Sequence, residues 1–114
     1  MGIKRFEDIH SWGKAKDLTI KIYEIFRDSK DFGFKGQIER ASVSIMNNIA
    51  EGFERMTNKE FIHFLYIAKG SCGELRSMLH LAKDLNKIDE DQFDELYDQS
   101  VEISKMISGL IKTL

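Results

Sequence analysis

The chain has 114 residues, with 17 basic and 19 acidic side chains, a net charge of −2, one cysteine and no proline. That length allows one domain around one hydrophobic core, and the lone Cys72 excludes an internal disulfide and fits a reducing compartment. A slightly acidic balance argues against a surface that tracks phosphates throughout, because nucleic-acid affinity rests on clustered Lys and Arg. No apolar run approaches the roughly 20 residues of a membrane span, and the opening Met1-Gly2-Ile3-Lys4-Arg5-Phe6-Glu7 has no signal-like apolar segment. The expectation is a soluble, cytoplasmic protein that does not engage a membrane.

Charge is uneven along the chain. Residues 1–35 carry 8 basic and 6 acidic side chains, whereas residues 87–114 carry 3 and 7.

Four amphipathic segments follow in order. The first is expected over about 7–29, where Trp12, Ala15, Leu18, Ile22, Ile25 and Phe26 recur at spacings of three and four. Lys30 to Gly36 contains two glycines and reads as a connection. The second segment, about 37–54, places Ile38, Ala41, Ser42, Ile45, Ile49, Gly52 and Phe53 on one face. Val43, Met46 and Ala50 widen that apolar arc to about half the helical wheel, against about 100° for an ordinary surface helix. Arg40, Ser44, Asn47, Glu51 and Arg55 form the narrow polar stripe that remains.

The third segment, about 58–86, opens on a capping box with Thr57 as N-cap and Glu60 three residues inside the helix. Its apolar face runs from Phe61 through Leu65, Ala68, Cys72, Leu75 and Leu79 to Ala82. Gly70 and Gly73 lie on the flank shared with Ile62 and Tyr66, each costing up to about 1 kcal/mol relative to alanine. Small residues at that flank permit another backbone to approach closely. The fourth segment, about 90–113, has Asp89 as N-cap, Gln92 completing a second box, and Ile88 with Phe93 as a hydrophobic staple. Its acidic first turns suit the positive end of the helix dipole. All four patterns have period 3.6, so the fold class is all-α, an antiparallel up-down four-helix bundle in one domain.

Two runs carry a family resemblance. Arg40-Ala41-Ser42-Val43-Ser44-Ile45-Met46-Asn47-Asn48-Ile49-Ala50-Glu51-Gly52 is one, and Phe61 to Leu75, ending Gly73-Glu74-Leu75, is the other. The opening Phe6-Glu7-Asp8-Ile9 with Trp12-Gly13-Lys14-Ala15 fits as well. Together they resemble the four-helix bundle proteins encoded in intervening sequences of bacterial 23S rRNA genes, often labelled S23 ribosomal proteins. The resemblance implies a four-helix bundle assembled as a ring of five. It also implies kinship with the accessory protein of diversity-generating retroelements, which binds reverse transcriptase and nucleic acid. Those accessory proteins are strongly basic, and this chain is not.

Arg40, Asn47, Asn48, Glu51 and Glu74 are the polar positions of the resembling runs; they serve either a partner or helix packing, since buried polar groups need hydrogen-bond partners. Arg40, Arg55, Lys59 and Lys69 are the candidate phosphate contacts if nucleic acid is bound, and such binding is expected to be weak and salt-sensitive. Glu60-x-x-His63 matches half of a carboxylate di-metal motif, but that site needs two copies and two further inward glutamates. Cys72 lies on the core face and reads as a small hydrophobe. No nucleotide-binding glycine pattern occurs. The sequence therefore predicts a non-enzymatic protein without cofactor or metal. It is expected to associate with itself, as a pentamer by resemblance, through Val43, Met46 and Ala50 of one copy and Ile62, Tyr66, Gly70 and Gly73 of another. The other function considered is a nucleic-acid or ribonucleoprotein-binding accessory factor.

Overall fold

The computed structural model describes residues 2–114, and it contains four long helices and, among the described residues, no strand. They are α1 (His10–Ile25), α2 (Phe32–Phe53), α3 (Asn58–Asp84) and α4 (Glu90–Lys112). Short connections make consecutive helices antiparallel neighbours, and α4 closes the bundle by packing back on α1. The molecule is elongated, 43 × 22 × 19 Å.

The first segment starts differently from the expectation. Phe6–Asp8 form a 3-10 turn, and Ile9 is extended at φ −77° and ψ 118° before α1 begins at His10. A helix continued through Ile9 would aim its side chain about 140° away from the α1 core face, at 100° per residue. The extended residue turns it inward instead, where it is buried, and Phe6 meets Trp12 edge-on at 5.1 Å. At the other end α1 stops at Ile25, with Phe26 as C-cap, so residues 26–29 are not helical as expected.

The stretch read as a connection is largely helix. Asp31 caps α2, accepting from the Phe34 N–H at 3.2 Å, and Gly33 and Gly36 sit in the first turns. The cap and the burial of Phe34 against Phe26, at 5.7 Å, outweigh the cost of the two glycines. Asp31 also accepts from Lys87 Nζ at 3.0 Å, tying this end of α2 to the α3–α4 connection. That hydrogen bond, with the Phe34 N–H second, holds the Asp31 carboxyl below its ordinary pKa.

Thr57 caps α3 by accepting from the Glu60 N–H at 3.1 Å. The reciprocal half of the expected box is absent, because the Glu60 carboxylate accepts from the Thr57 hydroxyl instead, at 3.1 Å. The end of α3 is a Schellman turn. Asn86 takes φ 58°, the Lys87 N–H reaches the Ala82 carbonyl at 2.8 Å, and the Asn86 N–H reaches Lys83 at 3.0 Å. The α4 box is complete: Asp89 accepts from the Gln92 N–H at 2.7 Å and Gln92 accepts from the Asp89 N–H at 2.9 Å. Ile88 and Phe93 are both buried around it.

One core runs the length of the bundle, from Ile9 and Ile49 at one end to Phe26, Phe34 and Ile88 at the other. Two of its four buried hydroxyls are satisfied locally, Thr19 donating to the Ala15 carbonyl and Ser42 to the Glu39 carbonyl, both at 2.8 Å, whereas Ser11 Oγ has no partner. Cys72 is fully buried, and burial pushes its thiol up from 9.0 to about 11, against the partial opposition of Arg76.

The helices α2 and α3 approach closely at Gly52. A Cβ there would lie 2.7 Å from Phe64 Cβ and 3.0 Å from the Phe61 ring, so only glycine fits. At Gly70 an added Cβ meets nothing within 4 Å. The two glycines therefore respond oppositely. Gly52→Ala lowers stability by about 1–3 kcal/mol through overpacking, and Gly70→Ala raises monomer stability by up to about 1 kcal/mol through helix propensity. Urea denaturation midpoints check both signs.

Cys72 is expected to resist alkylation in the folded protein and to react at once in denaturant. Because its folded pKa lies above the unfolded value, its contribution to stability is complete below about pH 9 and is lost between 9.0 and about 11. A Cys72→Ala variant, compared with wild type across that range, isolates the loss.

Candidate functional site

The polar positions of the resembling runs converge on the seam between α2 and α3. Ser44 and Ser71 share a hydrogen bond of 2.8 Å across it. Asn48 donates to the Ser44 carbonyl at 2.8 Å and to its hydroxyl at 3.0 Å, which fixes the Ser44 rotor. Asn47, one residue earlier, points to solvent. Glu51 pairs with Arg55 at 3.0 Å, and the Arg55 guanidinium lies over the Phe64 ring at 4.7 Å. Further along, Arg40 and Glu74 face the same groove with Gln37 and Met78, enclosing about 380 Å³. Arg40 and Glu74 come within no ion-pair distance of each other. Two of these contacts, Ser44 with Ser71 and Arg55 with Phe64, join the two helices, and the others lie along α2 and its C-terminal end; Arg40, Glu74 and Asn47 face outward.

The four candidate phosphate contacts do not converge. Arg55 is engaged by Glu51 and Phe64, and Lys59 is exposed in the first turn of α3. Arg40 lines the α2–α3 groove, while Lys69 lines a different groove between α3 and α4.

The residues assigned to self-association fall into two groups. On α2, Val43, Met46 and Ala50 are half-buried, and Met46 packs partly against the core of its own chain. Much of the extra width of the α2 arc is thus used within the monomer. On α3, Ile62 and Gly73 are half-buried, whereas Tyr66 is 57% exposed and Gly70 faces solvent. Three more apolar side chains on the outer face of α3 were not anticipated: Ile67 at 39%, Leu81 at 48% and Leu85 at 54% exposure. Leu81 and Leu85, at i, i+4, lie 11 and 15 residues beyond Gly70 on the same side of the helix, and Ile67 lies 100° round from Tyr66. A second, outward-facing period was legible beside the core period and was passed over.

The α3–α4 groove, of about 640 Å³, is lined by Lys69 and Arg76 from α3 and by Lys105 and Lys112 from α4. Only Lys69 had been singled out as a phosphate contact. The two seven-residue spacings were visible in the sequence, but the register that sets them face to face was not.

Glu60 and His63 lie in the first turns of α3. His63 is exposed and the Glu60 carboxylate is held by Thr57. Among the described residues no group of three or more His, Cys, Asp or Glu is placed to hold a metal ion, and no helix is long and apolar enough to cross a membrane.

Comparison with the curated proteins returns no match. Among solved structures, the chain is similar to a crystal structure from Bacteroides thetaiotaomicron, described as a protein of unknown function from the S23 ribosomal protein family. The two share 27% identity and a TM-score of 0.83, over 90% of this chain and 98% of that one. The model of the 23S rRNA-intervening sequence protein family matches residues 7–109, across all the seam residues described above, and the chain belongs to that family.

Proposed function

We propose that this protein is a non-enzymatic adaptor that works as a closed assembly of its own copies. The outer face of α3 carries the proposal. Tyr66, Ile67, Leu81 and Leu85 expose apolar surface along one side of a helix whose other side is buried. Tyr66 with Ile67 and Leu81 with Leu85 form two exposed apolar pairs about 20 Å apart along the helix, and apolar surface left facing solvent marks an interaction site. The same face holds Gly70, where a Cβ would meet nothing within 4 Å, and Gly73, where it would meet only Arg76 Nη2 at 3.8 Å. Neither glycine is needed for packing within the chain, and each costs helix stability. A second backbone pressed against this face gives both a use.

The complementary surface is the flank of α2 formed by Val43 and Ala50. A contact between unlike faces is head-to-tail, and such contacts form rings when the rotation closes. Five copies is the number implied by the family resemblance. The grooves favour binding over catalysis: Arg40 and Glu74 have no nucleophile beside them, and Cys72 is buried with a raised pKa.

Light scattering on the purified protein tests the reading. A mass five times that of the 13.2 kDa chain is expected. Tyr66→Glu and Leu81→Glu are expected to yield folded species of lower mass. Gly70→Leu is the sharper variant, since its side chain enters open space in the monomer yet blocks close approach from outside. Met46→Glu is unsuitable, because Met46 supports its own core. A wild type that stays monomeric at high concentration overturns the proposal.

A further inference from the structure

We infer that the groove between α3 and α4 binds the polyphosphate group of a short phosphorylated ligand, of the charge and length of a nucleoside triphosphate. Lys69, Arg76, Lys105 and Lys112 all line it, and no carboxylate does. The chain as a whole has more acidic than basic residues. Elsewhere six cations, Arg5, Lys14, Lys21, Arg55, Lys83 and Lys87, pair with a carboxylate at 4.0 Å or less, and seven do not. None of the four groove cations has such a partner. Four unpaired like charges along one groove repel one another, and an anion between them relieves that repulsion.

The geometry favours a phosphate group. Each helix presents two cations seven residues apart, about 10 Å along its axis at 1.5 Å per residue. Arg76 is pre-positioned: its Nη1 donates to Ser100 Oγ at 3.2 Å, and Ser100 Oγ donates to the Cys72 carbonyl at 3.2 Å. The guanidinium is thereby anchored while its other N–H donors stay available, the arrangement that suits phosphate oxygens. Ser104 and Ser108 add hydroxyl donors between the cations. Lys112 has another explanation, since it lies in the last turn of α4, where the dipole favours positive charge. Lys69 and Lys105 are mid-helix and have none, and Arg76 is bound by Ser100.

The groove is short, and its surroundings limit the ligand. Asp94 and Asp98 occupy the same face of α4 as Lys105, toward the N-terminal end. A long polyanion leaving the groove in that direction meets carboxylates, whereas a triphosphate is contained.

Calorimetric titration of the full chain with ATP, tripolyphosphate and a single-stranded RNA oligomer, at low and near-physiological salt, tests the inference. Saturable binding of ATP and tripolyphosphate is expected, stronger than that of RNA. Combined Lys105→Glu and Lys112→Glu changes are expected to weaken it at least about tenfold, as loss of charge-assisted hydrogen bonds requires. Both residues are exposed, so folding is retained, which circular dichroism checks. Combined Lys4→Glu and Lys30→Glu changes alter net charge equally, outside the groove, and are expected to leave affinity within about twofold. Equal loss in both pairs, absence of binding at low salt, or RNA binding far tighter than triphosphate each overturns the assignment. Preference for ATP over tripolyphosphate identifies the nucleoside as part of the ligand; equal affinity identifies the phosphate chain alone.

Discussion

The close approach of α2 and α3 at Gly52 is the constraint on which the other arrangements rest. With no Cβ at that position, Phe61 and Phe64 come against the α2 backbone itself. At that separation short side chains span the seam, which is why Ser44 and Ser71 bond directly at 2.8 Å and Asn48 can brace Ser44 from within α2. Larger residues at these places would push the helices apart and lose both the hydrogen bond and the aromatic contact. Ser44, Asn48 and Gly52 of α2 thus have a common physical reason, the narrowness of one seam.

Once α3 is pinned on α2, its rotation about its own axis is settled, and that fixes both of its remaining faces. Leu65, Cys72 and Leu79 enter the core. Tyr66, Gly70, Leu81 and Leu85 are left outside, and Lys69 and Arg76 fall on the side that meets α4. The proposed assembly face and the proposed phosphate groove are therefore neighbouring consequences of one packing decision. They differ in chemistry because adjacent faces of a helix sample residues one position apart.

Charge is distributed along the sequence in a way that packing largely cancels. The acidic fourth helix lies against the basic first, with Lys21 and Glu95 at 2.6 Å and Lys14 and Glu102 at 3.6 Å. These pairs are exposed and each contributes little to stability. Their value is in arrangement, since they draw Glu95 and Glu102 toward α1, away from the groove that Lys105 and Lys112 share with α3. A chain of net charge −2 can hold a wholly basic groove for this reason.

The sequence by itself determined the all-helical class, the four helices, most of the core and two of the three side-chain caps at helix starts, Thr57 and Asp89, because period, cap chemistry and burial are local properties of a single strand of chain. Asp31 was missed because two glycines suggested a break, and only the contacts of Phe34 with Phe26 and of Asp31 with Lys87 made a helix start favourable there. Ile9 lay off the helical face, and its burial required a kink that a continuous pattern hides. For the candidate sites the division is sharper. The exposed apolar line on α3 was present in the sequence as a second period, yet exposure depends on which neighbours cover a face. Met46 looked free for a partner and is used by its own core, while Leu81 and Leu85 are free and were overlooked. The groove of four cations was invisible, because it depends on the register between two antiparallel helices. That register is set by interdigitating side chains across the seam, not by either helix alone.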